Sequence, residues 1–178
     1  MRIAGLILIA WIAMPLAARA EVAAASESGF LIRAEAHTEA SPAETWRALT
    51  RPNRWWSSAH TYSGDARNLS LDARAGGCWC ERWAGGSVAH ARVLAAFEHS
   101  GARTLRLEGS LGPLQDMGAV SILTFTVRPH GAGSTVTMTY RVAGDAVLGL
   151  NALSGPVDAV LMEQFDRLIR LSAHGSPN

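Results

Sequence analysis

The stretch from Ser41 to Thr50, Ser-Pro-Ala-Glu-Thr-Trp-Arg-Ala-Leu-Thr, carries the strongest local structural signal in the chain. Ser41 and Glu44 have the spacing of a capping box, in which the two side chains satisfy backbone N–H groups at the start of a helix. Pro42 stands at the first helical position, where its fixed backbone angle favours the helix and its missing N–H costs nothing. The sequence therefore predicts a helix over residues 42–49.

The segments on either side of this helix predict an antiparallel sheet. Residues 30–36 read as a first strand, and a short helical turn over residues 52–57 carries Trp55 and Trp56. From Asn68 onward the chain alternates apolar and polar residues and is rich in Thr, Val, Ile and Phe, which is typical of strands. The predicted strands there cover residues 68–71, 76–83, 88–97, 103–108, 120–128 and 135–142.

A long amphipathic helix closes the chain. Its apolar residues recur at the spacing of one helical face: Val157, Val160, Leu161, Phe165, Leu168 and Ile169. With the preceding elements this predicts an α+β fold, in which about six to seven antiparallel strands are covered on one face by helices. A single long helix cannot cover such a curved sheet completely, and the gap between them is a candidate pocket.

The order and type of these elements resemble the helix-grip fold of the START-like, or SRPBCC, superfamily, which includes the polyketide cyclase/dehydrase and Hsp90-ATPase-activator-like branches. Residues 41–50 are similar to that family's first helix, Arg51–Trp56 to the stretch that follows it, and Ala75–Trp79 to the Gly-Gly opening of a central strand. The resemblance covers Phe30 to Leu171. It implies a deep, largely apolar cavity that binds a lipid, a sterol, a polyketide or another hydrophobic compound, with no cofactor.

The first twenty residues have the composition of a cleavable export signal. Arg2 precedes an apolar run over residues 3–18 that contains Pro15, and a small-x-small site ends at Ala20. The alternative, a membrane anchor, needs about 20 apolar residues. We expect cleavage between Ala20 and Glu21 and a periplasmic or secreted bacterial protein. The expected domain order is signal 1–20, flexible leader 21–28, START-like domain 29–173 and frayed tail 174–178.

The charge balance bears on the partners of the mature protein. All 16 basic residues are arginine, and 15 residues are acidic. Removal of the signal would take away Arg2 and Arg19, leaving 14 arginines (16 minus 2) against the 15 acidic residues. A nearly neutral domain has no basic surface for nucleic acid. Because no second long apolar run follows, we expect no membrane insertion after signal cleavage.

Two cysteines, Cys78 and Cys80, flank Trp79 in a predicted strand. Side chains two residues apart on a strand point the same way, and their Cα atoms lie about 6.5–7 Å apart. This spacing is at or beyond the upper limit for a disulfide. The pattern therefore favours two buried free thiols without a disulfide; the alternative is a strained or labile disulfide between them. It also predicts no metal site, because His90 is expected on the opposite face of the hairpin.

A hairpin turn at Gly85-Gly86 would set the register of two central strands. That register places His90 opposite Glu81. One face then carries five candidate ligand-binding residues: Trp79, Glu81, Trp83, His90 and Arg92. We expect this face to line the cavity, with His90 and Arg92 orienting a ligand. The alternative is a solvent-exposed face on which Glu81 and His90 form an ordinary cross-strand pair.

A second group of candidate residues lies in the segment that, by the resemblance, is near the cavity mouth: Trp55, Trp56, His60 and Tyr62. Alternatively, Trp55 and Trp56 pack the helix end into the core, although adjacent helical residues point about 100° apart and can hardly share one environment. Phe165 of the closing helix completes the set of cavity candidates.

Three functions are compatible with these features. The first is a carrier or sensor that binds a hydrophobic small molecule. The second is a cyclase- or hydrolase-like enzyme that uses Glu81, His90 or His60 as acid or base, with Tyr62 or Arg92 as stabiliser. The third is an envelope protein-interaction domain with a tryptophan-rich surface. No nucleophile elbow or metal-binding helix motif is present, so the sequence favours the carrier and assigns no catalytic residue.

Overall fold

The computed structural model describes residues 19–178, so most of the predicted export signal lies outside the described residues. Its eight strands are β1 (Arg19–Ser26), β2 (Gly29–Thr38), β3 (Leu69–Leu71), β4 (Cys78–Trp83), β5 (Gly86–His99), β6 (Ala102–Glu108), β7 (Val120–His130) and β8 (Gly133–Ala143). Its α-helices are α1 (Pro42–Leu49), α2 (Pro113–Asp116) and α3 (Ser154–His174), and five short 3₁₀ turns join the other elements.

The strands form one curved antiparallel sheet in the order β1-β2-β8-β7-β6-β5-β4-β3. The long helix α3 packs against β1 and β2 and against α1. Two residues of its apolar face, Phe165 and Leu168, are completely buried against the sheet, where Ile32 and Tyr140 are equally inaccessible. The predicted α+β helix-grip architecture is confirmed. Among residues 19–178 no helix is long and apolar enough to cross a membrane.

The capping box that starts α1 forms as the sequence predicts. The Ser41 hydroxyl accepts a hydrogen bond from the Glu44 backbone N–H at 3.4 Å, and Glu44 Oε2 accepts one from the Ser41 backbone N–H at 3.0 Å. Two of the N–H groups that a helix start leaves unpaired are thereby satisfied. The helix has the predicted bounds, Pro42–Leu49.

The expected flexible leader is instead an ordered edge strand, which brings the sheet to eight strands. Strand β1 pairs antiparallel with β2, and Val22 lies opposite Ile32. Without β1, the outer backbone groups of β2 would lack sheet partners, so pairing satisfies them. This strand was not predicted because half of its residues are alanine, which has low strand propensity. Signal cleavage after Ala20 would leave six of the eight residues of β1 (8 minus 2).

The register of the β4–β5 hairpin differs from the predicted one. Glu81 pairs with Val88 and Trp83 with Gly86, so the turn is Ala84-Gly85. A bulge then follows, because Trp79 pairs with Ala91 and Cys80 with Ala89, leaving His90 without a partner. Within a bulge the strict alternation of side chains is interrupted. His90 and Ala91 are therefore both buried, although they are adjacent in a strand.

The prediction of two free thiols is wrong, because Cys78 and Cys80 form a disulfide. The bridge spans Trp79 at the position of the bulge, and the two Cα atoms are 5.4 Å apart. This is shorter than the spacing of a regular strand and within the ordinary range for disulfides. The strand is contracted where it faces the extra residue of β5, and a regular register could not have revealed that.

Reducing this disulfide is expected to lower the free energy of unfolding by only about 1–2 kcal/mol, because loop-closure entropy is small for so short a ring. Urea unfolding with and without a reductant measures the change. A Cys78→Ser/Cys80→Ser variant should match the reduced protein and be insensitive to reductant. A count of two free thiols in protein that is denatured without a reductant would contradict the disulfide.

Candidate functional site

One large cavity of about 510 Å³ lies between α3 and the β3–β5 end of the sheet. Four parts of the chain enclose it: the segment after α1, three residues of the sheet, the loop between β6 and β7, and the start of α3. The lining residues are Trp56, His60, Thr61, Tyr62, Leu69, Trp79, His90, Leu111, Gly112, Pro113, Leu114, Asp116, Leu153, Pro156, Val157, Val160 and Leu161. A cavity of this size and composition is typical of a small-molecule site.

Two tryptophans form the aromatic wall of the cavity. The rings of Trp56 and Trp79 meet edge to face, with centroids 5.0 Å apart and planes at 87°. The indole N–H of Trp56 donates to the His60 carbonyl at 2.8 Å, which holds the ring in place. Both rings are almost completely buried. The side of the cavity facing them is aliphatic and comes from α3.

The loop between β6 and β7, which contains α2, is fixed from behind by a buried tyrosine. The Tyr140 hydroxyl accepts from the Leu111 backbone N–H at 3.1 Å and also hydrogen bonds to the Ser121 hydroxyl at 2.9 Å. On the other side, Gln115 Nε2 donates to the Ala89 carbonyl at 2.9 Å. The loop is thus tied to β8 and to β5, next to the bulge, and forms a fixed wall of the cavity.

Glu81 lies behind the cavity wall, and its carboxylate is fully buried. It accepts hydrogen bonds from the backbone N–H groups of Ser63 at 2.6 Å and Tyr62 at 3.1 Å, and a third contact comes from His90. Burial acts to raise the pKa of this carboxyl, but the hydrogen bonds stabilise its charge and hold the pKa below its usual value. Glu81 is therefore a buried anion.

His90 connects this anion to the cavity. Its Nε2 lies 3.0 Å from Glu81 Oε2. Because an ionised carboxylate can only accept hydrogen bonds, Nε2 carries the proton, and in the neutral ring Nδ1 is an acceptor. Burial lowers the pKa of His90, although the Glu81 carboxylate opposes this effect. The resting site is therefore a neutral imidazole held in one tautomer.

The remaining polar groups lie near His90. The Tyr62 ring is 5.8 Å from the imidazole, and burial together with the charges of Asp116 and Glu81 raises the pKa of its phenol. The buried indole N–H of Trp79 has no hydrogen-bond partner within residues 19–178. Among the described lining residues there is no arginine, and the sequence contains no lysine. The cavity therefore has carboxylates nearby but no fixed positive charge.

His60 stands at the more open side of the cavity. Its Nε2 lies 3.0 Å from Glu163 Oε2 of α3, and both side chains are partly exposed. Such a pair contributes little stability, because solvent screens it. Within residues 19–178 no three His, Cys, Asp or Glu side chains come together as a metal site would require.

The structure brings together five of the ten predicted cavity residues on the cavity surface: Trp56, His60, Tyr62, Trp79 and His90. Glu81 lies directly behind His90 and reaches the cavity only through it.

The other four candidates lie elsewhere. Arg92 is on the opposite face of the sheet, because the bulge reverses the alternation, and it pairs with Glu108 at 2.9 Å. Trp83 is half-buried at the end of the hairpin, where its ring covers Gly86. Trp55 and Phe165 are buried in the core, and the indole N–H of Trp55 donates to the Leu49 carbonyl at 3.3 Å.

Sequence reasoning assigned no ligand-binding role to most of the aliphatic lining. Residues 111–117 were not among the predicted cavity residues. The α3 residues Val157, Val160 and Leu161 were visible only as an apolar helical face. Where the apolar face of a helix is wider than the surface packed against it, the uncovered part can line a cavity. The sequence does not show where the sheet stops covering α3.

Acid is expected to destabilise the fold in two steps because of the hydrogen-bonded pair of Glu81 and His90. Between the lowered pKa of His90 and its ordinary value of 6.5, the unfolded chain binds a proton that the folded chain does not. The free energy of unfolding therefore falls as the pH falls through this window. A second loss follows below the ordinary Glu81 value of 4.5, because its folded pKa is also lowered.

Urea unfolding between about pH 7.5 and pH 3 measures the upper step and the onset of the lower one. The His90→Gln variant, which keeps a donor for Glu81 but does not titrate, should lose only the upper step. Equal pH dependence in the two proteins would contradict the assignment of that step to His90.

Comparison with known proteins places the chain by its fold. No family model and no curated protein sequence matches it. Human STARD10 matches with a TM-score of 0.55 at 11% identity, covering 92% of this chain and 71% of that one. CalU16 from Micromonospora echinospora matches with a TM-score of 0.51 at 18% identity, covering 91% of this chain and 84% of that one. The chain therefore shares the fold of these two structures, the helix-grip fold that its sequence motifs resemble.

Proposed function

We propose that this protein is an exported carrier or sensor that binds a neutral hydrophobic small molecule between α3 and the sheet. The observation that carries the proposal is the cavity of about 510 Å³, with two tryptophan rings on one wall and aliphatic side chains on the other. Burying apolar ligand surface here supplies about 25 cal/mol per Å² of binding free energy before the cost of immobilisation.

The charges around the cavity favour a neutral ligand over an anionic one. The lining side chains supply no arginine to pair with a carboxylate, sulfonate or phosphate. Asp116 lines the cavity and the buried Glu81 lies behind it, so an anion would meet like charge in a largely apolar site. An uncompensated charge in such a place costs several kcal/mol, to order of magnitude. A ligand with an apolar body and a neutral polar group fits best.

Export is the second part of the proposal. It is supported by the composition of residues 1–20 and by the Cys78–Cys80 disulfide, since disulfides persist mainly in oxidising compartments outside the cytoplasm. Cell fractionation followed by the intact mass of the exported protein tests it. We expect the mature chain to begin at Glu21; a full-length cytoplasmic protein would contradict export.

The burial of three tryptophans weakens the protein-interaction hypothesis. Trp55, Trp56 and Trp79 are at most 7% exposed, so they cannot form an adhesive surface. The large apolar residues that are exposed in the described part of the chain number four, each on a different segment: Tyr62, Phe97, Val120 and Val147. Single exposed apolar residues are normal on a protein surface.

A matched pair of fluorescent probes tests the binding proposal. N-phenylnaphthylamine is neutral, and anilinonaphthalene sulfonate has the same aromatic body with an added sulfonate. We expect the neutral probe to bind at one site with about tenfold or greater preference over the anionic probe, which corresponds to about 1.4 kcal/mol. Failure of both probes to bind, or a preference for the sulfonate, would contradict the proposal.

A further inference from the structure

The hydrogen-bonded pair of Glu81 and His90 does more than close one end of the cavity. Because Nε2 of His90 donates to the buried carboxylate, the lone pair that accepts protons is on Nδ1. Nδ1 makes no hydrogen bond within residues 19–178, and the ring lines the cavity. A buried anion that orients a neutral imidazole is the arrangement that makes histidine an effective general base.

The contact between His90 and Glu81 depends on an irregularity in the sheet, the bulge in β5. A continuous ladder would leave no extra residue, whereas the bulge at His90 turns the ring towards Glu81. The neighbouring Gly109 has room for no side chain, because a Cβ atom there would overlap the His90 carbonyl oxygen. The bulged backbone is therefore packed closely from the β6 side as well.

A second buried polar group lies beside the base. The Trp79 ring centroid is 6.2 Å from that of His90, and Trp79 lines the same cavity. Its indole N–H is buried without a partner in the described part of the chain. Buried donors are normally paired, so an unpaired one at a cavity wall points to an acceptor atom supplied by a ligand.

We propose that the cavity is a proton-transfer site, in which His90 removes a proton from carbon next to the carbonyl group of a neutral, apolar substrate. Trp79 donates a hydrogen bond to the carbonyl oxygen, and Glu81 is the positioning residue that fixes the imidazole tautomer. The inference rests on the proposed function, because the substrate must first bind in the same cavity.

The step is balanced without an added reagent. The substrate C–H bond breaks, its electron pair moves into a carbon–carbon double bond, and the carbonyl oxygen becomes an enolate oxygen that the indole N–H stabilises. The proton forms a new N–H bond on His90 Nδ1, and the resulting imidazolium is paired with the Glu81 carboxylate. Returning the proton to the same carbon exchanges hydrogen with the solvent. In a substrate with a carbon–carbon double bond next to that carbon, the enolate extends over the double bond, and returning the proton to its far end isomerises the substrate.

Nitrobenzisoxazole provides a probe of the base that does not require the natural substrate. It is neutral, flat and apolar, and loss of its single acidic C–H proton breaks the ring N–O bond to give a coloured nitrophenolate that carries a nitrile. We expect the oxidised, folded protein to accelerate this elimination. The His90→Gln variant should lose about tenfold or more of the rate, since a positioned base contributes at least that much.

The control is His99→Gln, the same substitution at an exposed position of the same strand. It should leave the rate unchanged. For Glu81, the expected signature of the Gln variant is a loss of the single Nε2–H tautomer of His90 in nitrogen-15 NMR. A shift in the midpoint of the pH–rate profile should accompany that loss, and a merely structural role would not produce it.

The rate should rise with pH and reach its plateau below the usual titration range of histidine. The groups that face His90 are Glu81 from β4 and Tyr62 from the segment before β3, while Asp116 from α2 and His60 line the same cavity. Burial sets the direction of the pKa change for His90.

Two outcomes separate this inference from the proposed function. If N-phenylnaphthylamine binds but wild type and His90→Gln eliminate nitrobenzisoxazole at equal rates, the proton-transfer site is wrong and the carrier remains. If neither N-phenylnaphthylamine nor nitrobenzisoxazole binds, the proposed function fails first. Circular dichroism and thermal unfolding of each variant establish that a lost rate does not reflect a lost fold.

Discussion

Replacing Val160 with tryptophan is expected to abolish the binding of N-phenylnaphthylamine while the protein remains folded. Val160 lines the cavity from α3 and is only half-buried, so the larger ring can extend into the open volume instead of the packed core. If the ring displaces about 110 Å² of apolar ligand contact, about 2.8 kcal/mol of binding free energy is lost, a rise in Kd of about 100-fold.

Val147→Trp is the matched control for this variant. Val147 is 86% exposed on the turn before α3 and is not among the cavity-lining residues. It introduces the same side chain, so any general effect of an added tryptophan on the fluorescence signal appears in both proteins. Retention of wild-type affinity by Val160→Trp would place the probe outside the cavity.

Replacing Glu81 with alanine is expected to produce the largest loss of stability, about 3–5 kcal/mol, because several hydrogen bonds to one buried anion are lost together. The change leaves the backbone N–H groups of Tyr62 and Ser63 without their acceptor and removes the partner of His90. Each unsatisfied buried donor costs about 1–3 kcal/mol. Denaturant unfolding at neutral pH measures the loss.

Glu98→Ala provides the comparison. Glu98 pairs with Arg103 at 2.8 Å, but it is largely exposed. Removing such a surface pair typically costs less than about 1 kcal/mol, because water screens the charges. If Glu81→Ala were as stable as Glu98→Ala, the buried carboxylate would not hold the segment over the cavity.

Local signals allowed correct prediction of α1, whereas the hairpin depended on tertiary structure. Ser41, Pro42 and Glu44 satisfy the start of α1 within a single turn of the chain, so no distant contact can displace it. The hairpin register instead changes by one residue at His90, where the side chain contacts the Glu81 carboxylate and the backbone packs against Gly109. One inserted residue reverses every later assignment of side chains to faces.

The same bulge explains which site residues were predictable. Trp79 and Glu81 lie on β4, the strand that has no extra residue, and the assumption of alternation placed them correctly on the inner face. Arg92 lies beyond the bulge on β5 and was placed on the wrong face. The disulfide was missed for the same reason, because a regular strand keeps Cys78 and Cys80 further apart than the observed 5.4 Å.

The aliphatic part of the cavity could not be derived from local patterns. The loop that contains Leu111 is held by the hydroxyl of Tyr140, which lies 29 residues further along the chain. Phe165 shares an apolar helical face with Val160, but it lies deeper along α3, where the sheet still covers the helix completely. The sequence shows that a helical face is apolar but not how much of it the sheet buries.

The most direct test of the cavity as the binding site is a proton–nitrogen NMR titration of the indole N–H signals with N-phenylnaphthylamine, assigned by single Trp→Phe variants. We expect shifts for Trp56 and Trp79, which line the cavity, and none for Trp46 and Trp83, which lie outside it. Shifts confined to Trp46 or Trp83, or no shift at saturating probe, would contradict the proposal that an apolar ligand binds between α3 and the sheet.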